Sequence, residues 1–163
     1  PPIFVELMDI MSHDGKNATY LAIIAVFLVL YIDFKSVKYA LVGMVPLVFG
    51  AIWMIGVMEL LGLQFTMMNI LAVPLIIGIG INDGVHILHR WEMERNLDIV
   101  YRSTGKAILL TSLTTMLGFG SLWFATDRGL GSMGIALFIG VGTCFLATLF
   151  MLPPLLSLQL KKP

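Results

Sequence analysis

The stretch "LAVPLIIGIGINDGVHILHRW", residues 71–91, decides how this chain is read. It is apolar from Leu71 to Ile81. Asn82 and Asp83 then appear, followed by His86, His89 and Arg90. A chain that puts a carboxylate into a greasy segment needs a reason, and the setting supplies it.

Of 163 residues, 58% are hydrophobic and 12% are charged, and the mean hydropathy is +0.95. Soluble domains carry about 25% charged residues. A core of this size cannot enclose so much apolar surface. Lipid must therefore replace water around much of the chain. The formal net charge is zero, so no global field argues for nucleic acid or an acidic partner. The one cysteine, Cys144, sits in an apolar run and offers neither a disulfide framework nor a metal site. It reads as a small buried hydrophobe. The start, "PPIFVELMDIMSHDGKN", lacks the basic opening and long apolar stretch of a signal peptide. Beginning "PPIF" without Met, it reads as a piece of something longer.

Five apolar runs stand out: Ala18–Ile32, Tyr39–Met58, Phe65–Leu88, Ala107–Thr126 and Leu130–Leu158. Backbone polar groups in lipid must be satisfied within the segment, so helices are expected. The runs do not alternate as barrel strands do. The expected fold is all-α, a polytopic membrane bundle of five transmembrane helices plus an N-terminal amphipathic helix. The spans are placed at about 18–34, 38–60, 65–91, 104–126 and 130–158, with residues 1–17 forming an extracytoplasmic interfacial helix ahead of a bundle over 18–160. In the first segment Ile3, Phe4, Leu7, Met8 and Met11 recur at helical spacing. Glu92–Arg102 reads as a charged connector with a surface helix of its own, its charge a solvated face.

Basic residues set the direction. Lys35, Lys38, Arg90, Arg95, Arg102, Lys106, Lys161 and Lys162 fall on one side, and only Lys16 and Arg128 on the other. The positive-inside rule makes the crowded side cytoplasmic, with the N-terminus outside and the C-terminus inside a cell (inner) membrane.

An ionised carboxylate in hydrocarbon costs at least about 2.5–3.5 kcal/mol. Asp83 lies roughly 10 Å below the midpoint of its span at about 1.5 Å per residue, too deep for a short side chain to reach the interface easily. It should face protein or a water-filled cavity. A carboxyl there can bind and release a proton on each cycle. The competing expectation is an interfacial Asp pairing with Arg90 or His86 to anchor a helix end. Gly78, Asn82, His86 and His89 share one arc, with Asp83 at its flank. Gly80 and Gly84 form a small-xxx-small pair that admits a neighbouring helix. The glycines also weaken the helix, and Pro74 adds a kink. On the fourth run, "LLTSLTTMLGFG", Thr111, Thr115 and Gly118 line one face, with Thr114 at its edge. Their hydroxyls seek a neighbour's side chain or the i−4 carbonyl.

Other chemistries find little support. His89 points away from Asp83 and no second acid joins them, so no metal site is expected. No metalloprotease, nucleophile-elbow or P-loop motif occurs. Gly78-Ile79-Gly80 lacks the strand and third glycine of a dinucleotide fingerprint. No cofactor is called for, and the chain does not read as an enzyme.

"NILAVPLIIGIGINDGVHILHRW" followed by "GKAILLTSLTTMLGFGSLWFA" resembles the RND superfamily of transporters, closest to its MMPL-like and hopanoid-exporter-like branch, related to Patched and sterol-sensing domains. The likeness covers Ala18 to Leu158. It implies helices two to six of one half of a two-half transporter, with wording closer to a C-terminal half. It implies a proton relay through Asp83, with Asn82, Thr111, Ser112, Thr115 and His86 around it. Many relatives carry a second acid where this chain has Asn82, so Asp83 alone carries the proton and Asn82 serves as a hydrogen-bonding partner. Thr111 matches the hydroxyl neighbouring the relay, and the adjacent Ser112 can substitute for it. Gly78, Gly80, Gly84 and Gly118 are expected at helix contacts. The implied activity is proton-motive-force-driven export of hydrophobic or amphiphilic, lipid-like substrates. The implied partners are the bilayer, protons, the substrate, the other half with its extracytoplasmic domains, and further copies in a homo-oligomer. Two alternatives stay open: a sterol-sensing-like lipid-binding module without proton coupling, and a Sec-type accessory protein exporter.

Overall fold

The computed structural model describes residues 2–63 and 66–159. Five helices follow one another: α1 (Pro2–Phe34), α2 (Val37–Leu60), α3 (Met67–Glu94), α4 (Leu97–Gly120) and α5 (Arg128–Gln159). A single 3-10 turn, Ser121–Phe124, closes α4. No strand occurs among the described residues. Stretches of 22 to 31 residues in these five helices are long and apolar enough to cross a membrane.

Residue pairs fix the direction of each helix. Gly15 lies against Ile70 and Asp33 against His89, so α1 and α3 run parallel with nearly constant register. Ile76 meets Gly140 and Gly80 meets Cys144, so α3 and α5 are also parallel. Leu122 meets Gly134, Phe138 meets Gly120 and Met116 meets Gly142, so α4 opposes α5. Helix α2 likewise opposes α3, with Gly43 beside Leu88 and Leu47 beside Gly80. The bundle thus has one end bearing Lys35, Lys38, Arg90, Arg95 and Arg102, the basic end. The other is the Trp123 end.

Helix α5 is the hub. It packs on α2, α3 and α4, whereas α1 touches α2 and α3 alone among the described residues. Within its spanning window α5 is 56% buried, against 11% for α1 and α4. The three central helices meet at Cys144, which is 1% exposed. A Cβ on Gly50 would stand 2.7 Å from the Cys144 backbone, and one on Gly80 2.8 Å from its sulfur. Only hydrogen side chains let α2 and α3 come this close to α5.

Several boundaries differ from the sequence expectation. No break separates residues 2–17 from the first span, because α1 is continuous; Gly15 stays helical against Ile70, and the Thr19 hydroxyl donates to the Gly15 carbonyl at 2.8 Å. The apolar face expected on Ile3, Phe4, Leu7, Met8 and Met11 lies outside the described side chains, as does the span start at Phe65. The connector Glu92–Arg102 is not a separate helix. It is divided between α3 and α4 by a two-residue turn, with Arg95 left-handed at φ 52°. Asn96 caps α4, its side chain accepting from the Asp98 backbone N–H at 3.0 Å. Helix α4 consequently begins at Leu97, not residue 104.

Candidate functional site

Asp83 is 7% exposed, in the interior of α3 where that helix faces α4 and α5. The Ser112 hydroxyl on α4 donates to its Oδ2 at 2.7 Å, and Ser112 is itself 5% exposed. The antiparallel turn at Arg95–Asn96 puts the two residues at matching depth. The acid therefore faces neither bulk water nor bare acyl chains. Among the described residues Asp83 makes no salt bridge to Arg90 or His86, although His86 is close enough to act on it electrostatically; Arg90 pairs with Glu94 at 3.1 Å, one turn along its own helix.

Six residues expected around a relay come together. Asn82, Asp83, His86, Thr111, Ser112 and Thr115 line one cleft of about 100 Å3, closed by Ile79 and Val141. His86 and Thr111 also border a larger cleft of about 350 Å3, which includes Arg90, Ser103 and Thr104. The two clefts share His86 and Thr111, and the larger one lies toward the basic end. A protonated carboxyl becomes a donor as well as an acceptor, while an ionised one only accepts. The Ser112 hydroxyl, a donor and an acceptor on a free rotor, can answer both forms.

The roles within the cleft differ from the motif expectation. Thr111 does not reach Asp83. Its hydroxyl donates back to the Ala107 and Ile108 carbonyls at 3.1 and 3.0 Å. Thr115 donates to the Thr111 carbonyl at 2.7 Å. Ser112 takes the position because it lies about 100° round the helix from Thr111 and points inward. Asn82 is exposed and has no hydrogen-bond partner among the described residues. Gly80 and Gly84 do lie at helix contacts, against Cys144 and the Gly43 carbonyl, but Gly78 and Gly118 are exposed with nothing near them.

Two features carried no signal in the motifs. His89 Nε2 stands 2.6 Å from Asp33 Oδ2, linking α3 to α1 at the basic end. At the Trp123 end, Asn69 is fully buried, accepts from Ser132 at 3.0 Å, and Ser132 meets Thr66 at 3.2 Å. These pairs lie 56 to 66 residues apart, so no local spacing exposes them. Asn69, an amide opening a span, was the one visible hint. Among the described residues no group of three His, Cys, Asp or Glu side chains stands where it could hold a metal.

A family model described as "Protein export membrane protein SecD/SecF, C-terminal" matches residues 6–162. A membrane protein of Methanocaldococcus jannaschii is 26% identical over 98% of this chain and 43% of its own length. The hopanoid transporter HpnN of Rhodopseudomonas palustris is 27% identical over 83% of this chain and 16% of its own length. The protein translocase subunit SecF of Pseudomonas aeruginosa is 29% identical over 70% of this chain and 41% of its own length. The chain thus spans less than half the length of each of these relatives. No solved structure matches it. The chain belongs to the SecD/SecF C-terminal family, an RND-related membrane domain, and the likeness to an RND-type transporter read from its motifs holds.

Proposed function

We propose that this member of the SecD/SecF C-terminal family is the transmembrane part of a proton-motive-force-driven exporter of hydrophobic or amphiphilic, lipid-like substrates. Asp83 is its proton carrier and Ser112 positions the carboxyl. The reading rests on one observation above all: a carboxylate 7% exposed, inside a membrane-spanning helix, held at 2.7 Å by a hydroxyl from the next helix. Intramembrane acids are costly, face protein or water, and mark ion pathways. Protons would reach Asp83 past His86 and Thr111, which border both its cleft and the larger one toward the basic end, the end that the positive-inside rule makes cytoplasmic. Residues 1–17 then begin outside the membrane. Cargo handling falls to parts of the transporter beyond this chain, including a second half and extracytoplasmic domains. Resemblance to HpnN supports a lipid-like cargo.

A second reading keeps the same proton chemistry and changes the cargo. The family description and the likeness to SecF support a Sec-type role, in which proton flow assists protein export. The experiment that tests the proton step serves both. Asp83→Asn in the full-length protein, reconstituted in vesicles with an imposed pH gradient, should abolish gradient-driven proton uptake while the protein still folds. Proton uptake at the unaltered rate in that variant overturns the relay. Lipid efflux against protein-export assays on the unaltered protein then separate the two cargoes.

A further inference from the structure

A chamber of about 590 Å3 opens at the Trp123 end, between the ends of α2 and α4 and the first turns of α5. Its wall is apolar: Leu61, Leu117, Phe124 and Phe138 are among its lining. A second chamber of about 350 Å3 adjoins it, and Leu63, Trp123 and Ile135 line both. This one is mixed: Thr66, Asn69, Ser132, Asp127 and Arg128 stand in its wall beside Met58 and Ala125. Each volume lies in the range of small-molecule sites, about 300–1,000 Å3. One site is greasy and its neighbour carries hydrogen-bonding groups, so the pair has the polarity pattern of a single amphiphile.

Proton accounting narrows the headgroup. Ser132 has one hydroxyl proton and gives it to the Asn69 carbonyl oxygen. In the contact between Thr66 and Ser132, Thr66 must therefore donate. The Thr66 oxygen is left with lone pairs only, on an exposed residue lining the mixed chamber. It asks for a donor. Asp127 and Arg128 line the same chamber with opposite charge, so no net field selects an anion or a cation. The Asp127 carboxylate is partly committed, its Oδ1 accepting from the Leu130 N–H at 2.9 Å. An uncharged hydroxyl fits these demands, and one apolar chamber takes one tail.

We propose that this paired cavity binds a single-chain amphiphile with a hydroxyl headgroup, its tail against Phe138 and its head at Thr66. Trp123, 66% exposed on its 3-10 turn, sits at the junction, where an aromatic with one polar edge suits a tail-to-head boundary. The site shares no lining residue with the Asp83 cleft, and it stands whether or not Asp83 carries protons.

The test uses the full-length protein in lipid nanodiscs and a monoacylglycerol with a photoactivatable diazirine in its chain. Labelling should saturate, concentrate on peptides carrying Trp123, Phe124 and Phe138, and be competed by unlabelled monoacylglycerol. The dimethyl ether of the same lipid, lacking donors, should compete at least tenfold less well. Thr66→Val should erase that preference, and Ile135→Trp, which fills the junction, should remove the labelling. Asp83→Asn should leave it intact. Unsaturable labelling spread equally over the lipid-facing Ile24 and Val29 of α1 would mean bulk lipid only and overturn the site. An ether that competes as well as the alcohol overturns the headgroup assignment. If Ile135→Trp disturbs the thermal melt, the alcohol-to-ether ratio in Thr66→Val, a change at an exposed position, decides alone.

Discussion

Gly80 packs on Cys144 with no room for a methyl group: a Cβ there would lie 2.8 Å from the sulfur and 3.0 Å from the Cys144 Cβ. Overpacking of this kind costs about 1–3 kcal/mol. Gly80→Ala should lower the melting temperature of the protein in detergent. Cys144→Ala takes away the nearest clashing atom, so the double variant should recover part of the loss. A strictly additive double-mutant cycle would mean that the two side chains do not meet.

Ser112 and Thr111 are neighbours in sequence with opposite consequences. Ser112→Ala removes the only hydrogen bond described for the Asp83 carboxylate. Bonds to charged groups contribute about 1.5–3 kcal/mol, so proton-coupled transport should fall at least tenfold. Thr111→Val removes a hydroxyl that only bonds its own helix, and transport should change less than threefold. Comparing the two initial rates in vesicles checks this. The motif likeness alone ranks them the other way.

At the basic end, two interactions meet on His89. Its pair with Asp33 is about half exposed, and such pairs contribute roughly 0–1 kcal/mol. Phe34 is 7% exposed and lies against the same imidazole, tilted by 31° with ring centroids 4.6 Å apart. Truncating a buried Phe costs about 3–5 kcal/mol. Phe34→Ala should therefore destabilise far more than Asp33→Asn, as thermal melts of the two variants would show.

The α3–α4 turn should depend on its cap. Asn96→Ala should cost about 0.5–2 kcal/mol, and Asn96→Asp should be nearly neutral, since a carboxylate also accepts from the Asp98 N–H. Arg95→Gly should stabilise, because a left-handed φ of 52° strains any residue with a Cβ. Proteolysis at this turn offers a direct readout of all three.

How far the sequence speaks follows from the range of each interaction. Five apolar runs are local facts, and the helices follow from them because lipid leaves the backbone no other partner. The Asp83 cleft was legible because all six of its polar residues lie on two successive spans joined by a short turn. The hydroxyl that reaches the acid was not, since Thr111 and Ser112 differ only in rotation about α4. Asp33 with His89, and Thr66 with Ser132 and Asn69, depend on the register between helices distant in sequence. The glycine contacts divide the same way. Gly80 and Gly84 face neighbours, Gly78 and Gly118 do not, and the spacing is silent on which face is covered.

Helix α1 leans on α2 and α3 and makes no contact with the hub among the described residues. Its last turn meets α3 through Asp33 and His89, about 1.7 helical turns from Asp83. Among the described residues α1 therefore reaches the hub only by way of α2 and α3, and α3 is the helix that carries the acid.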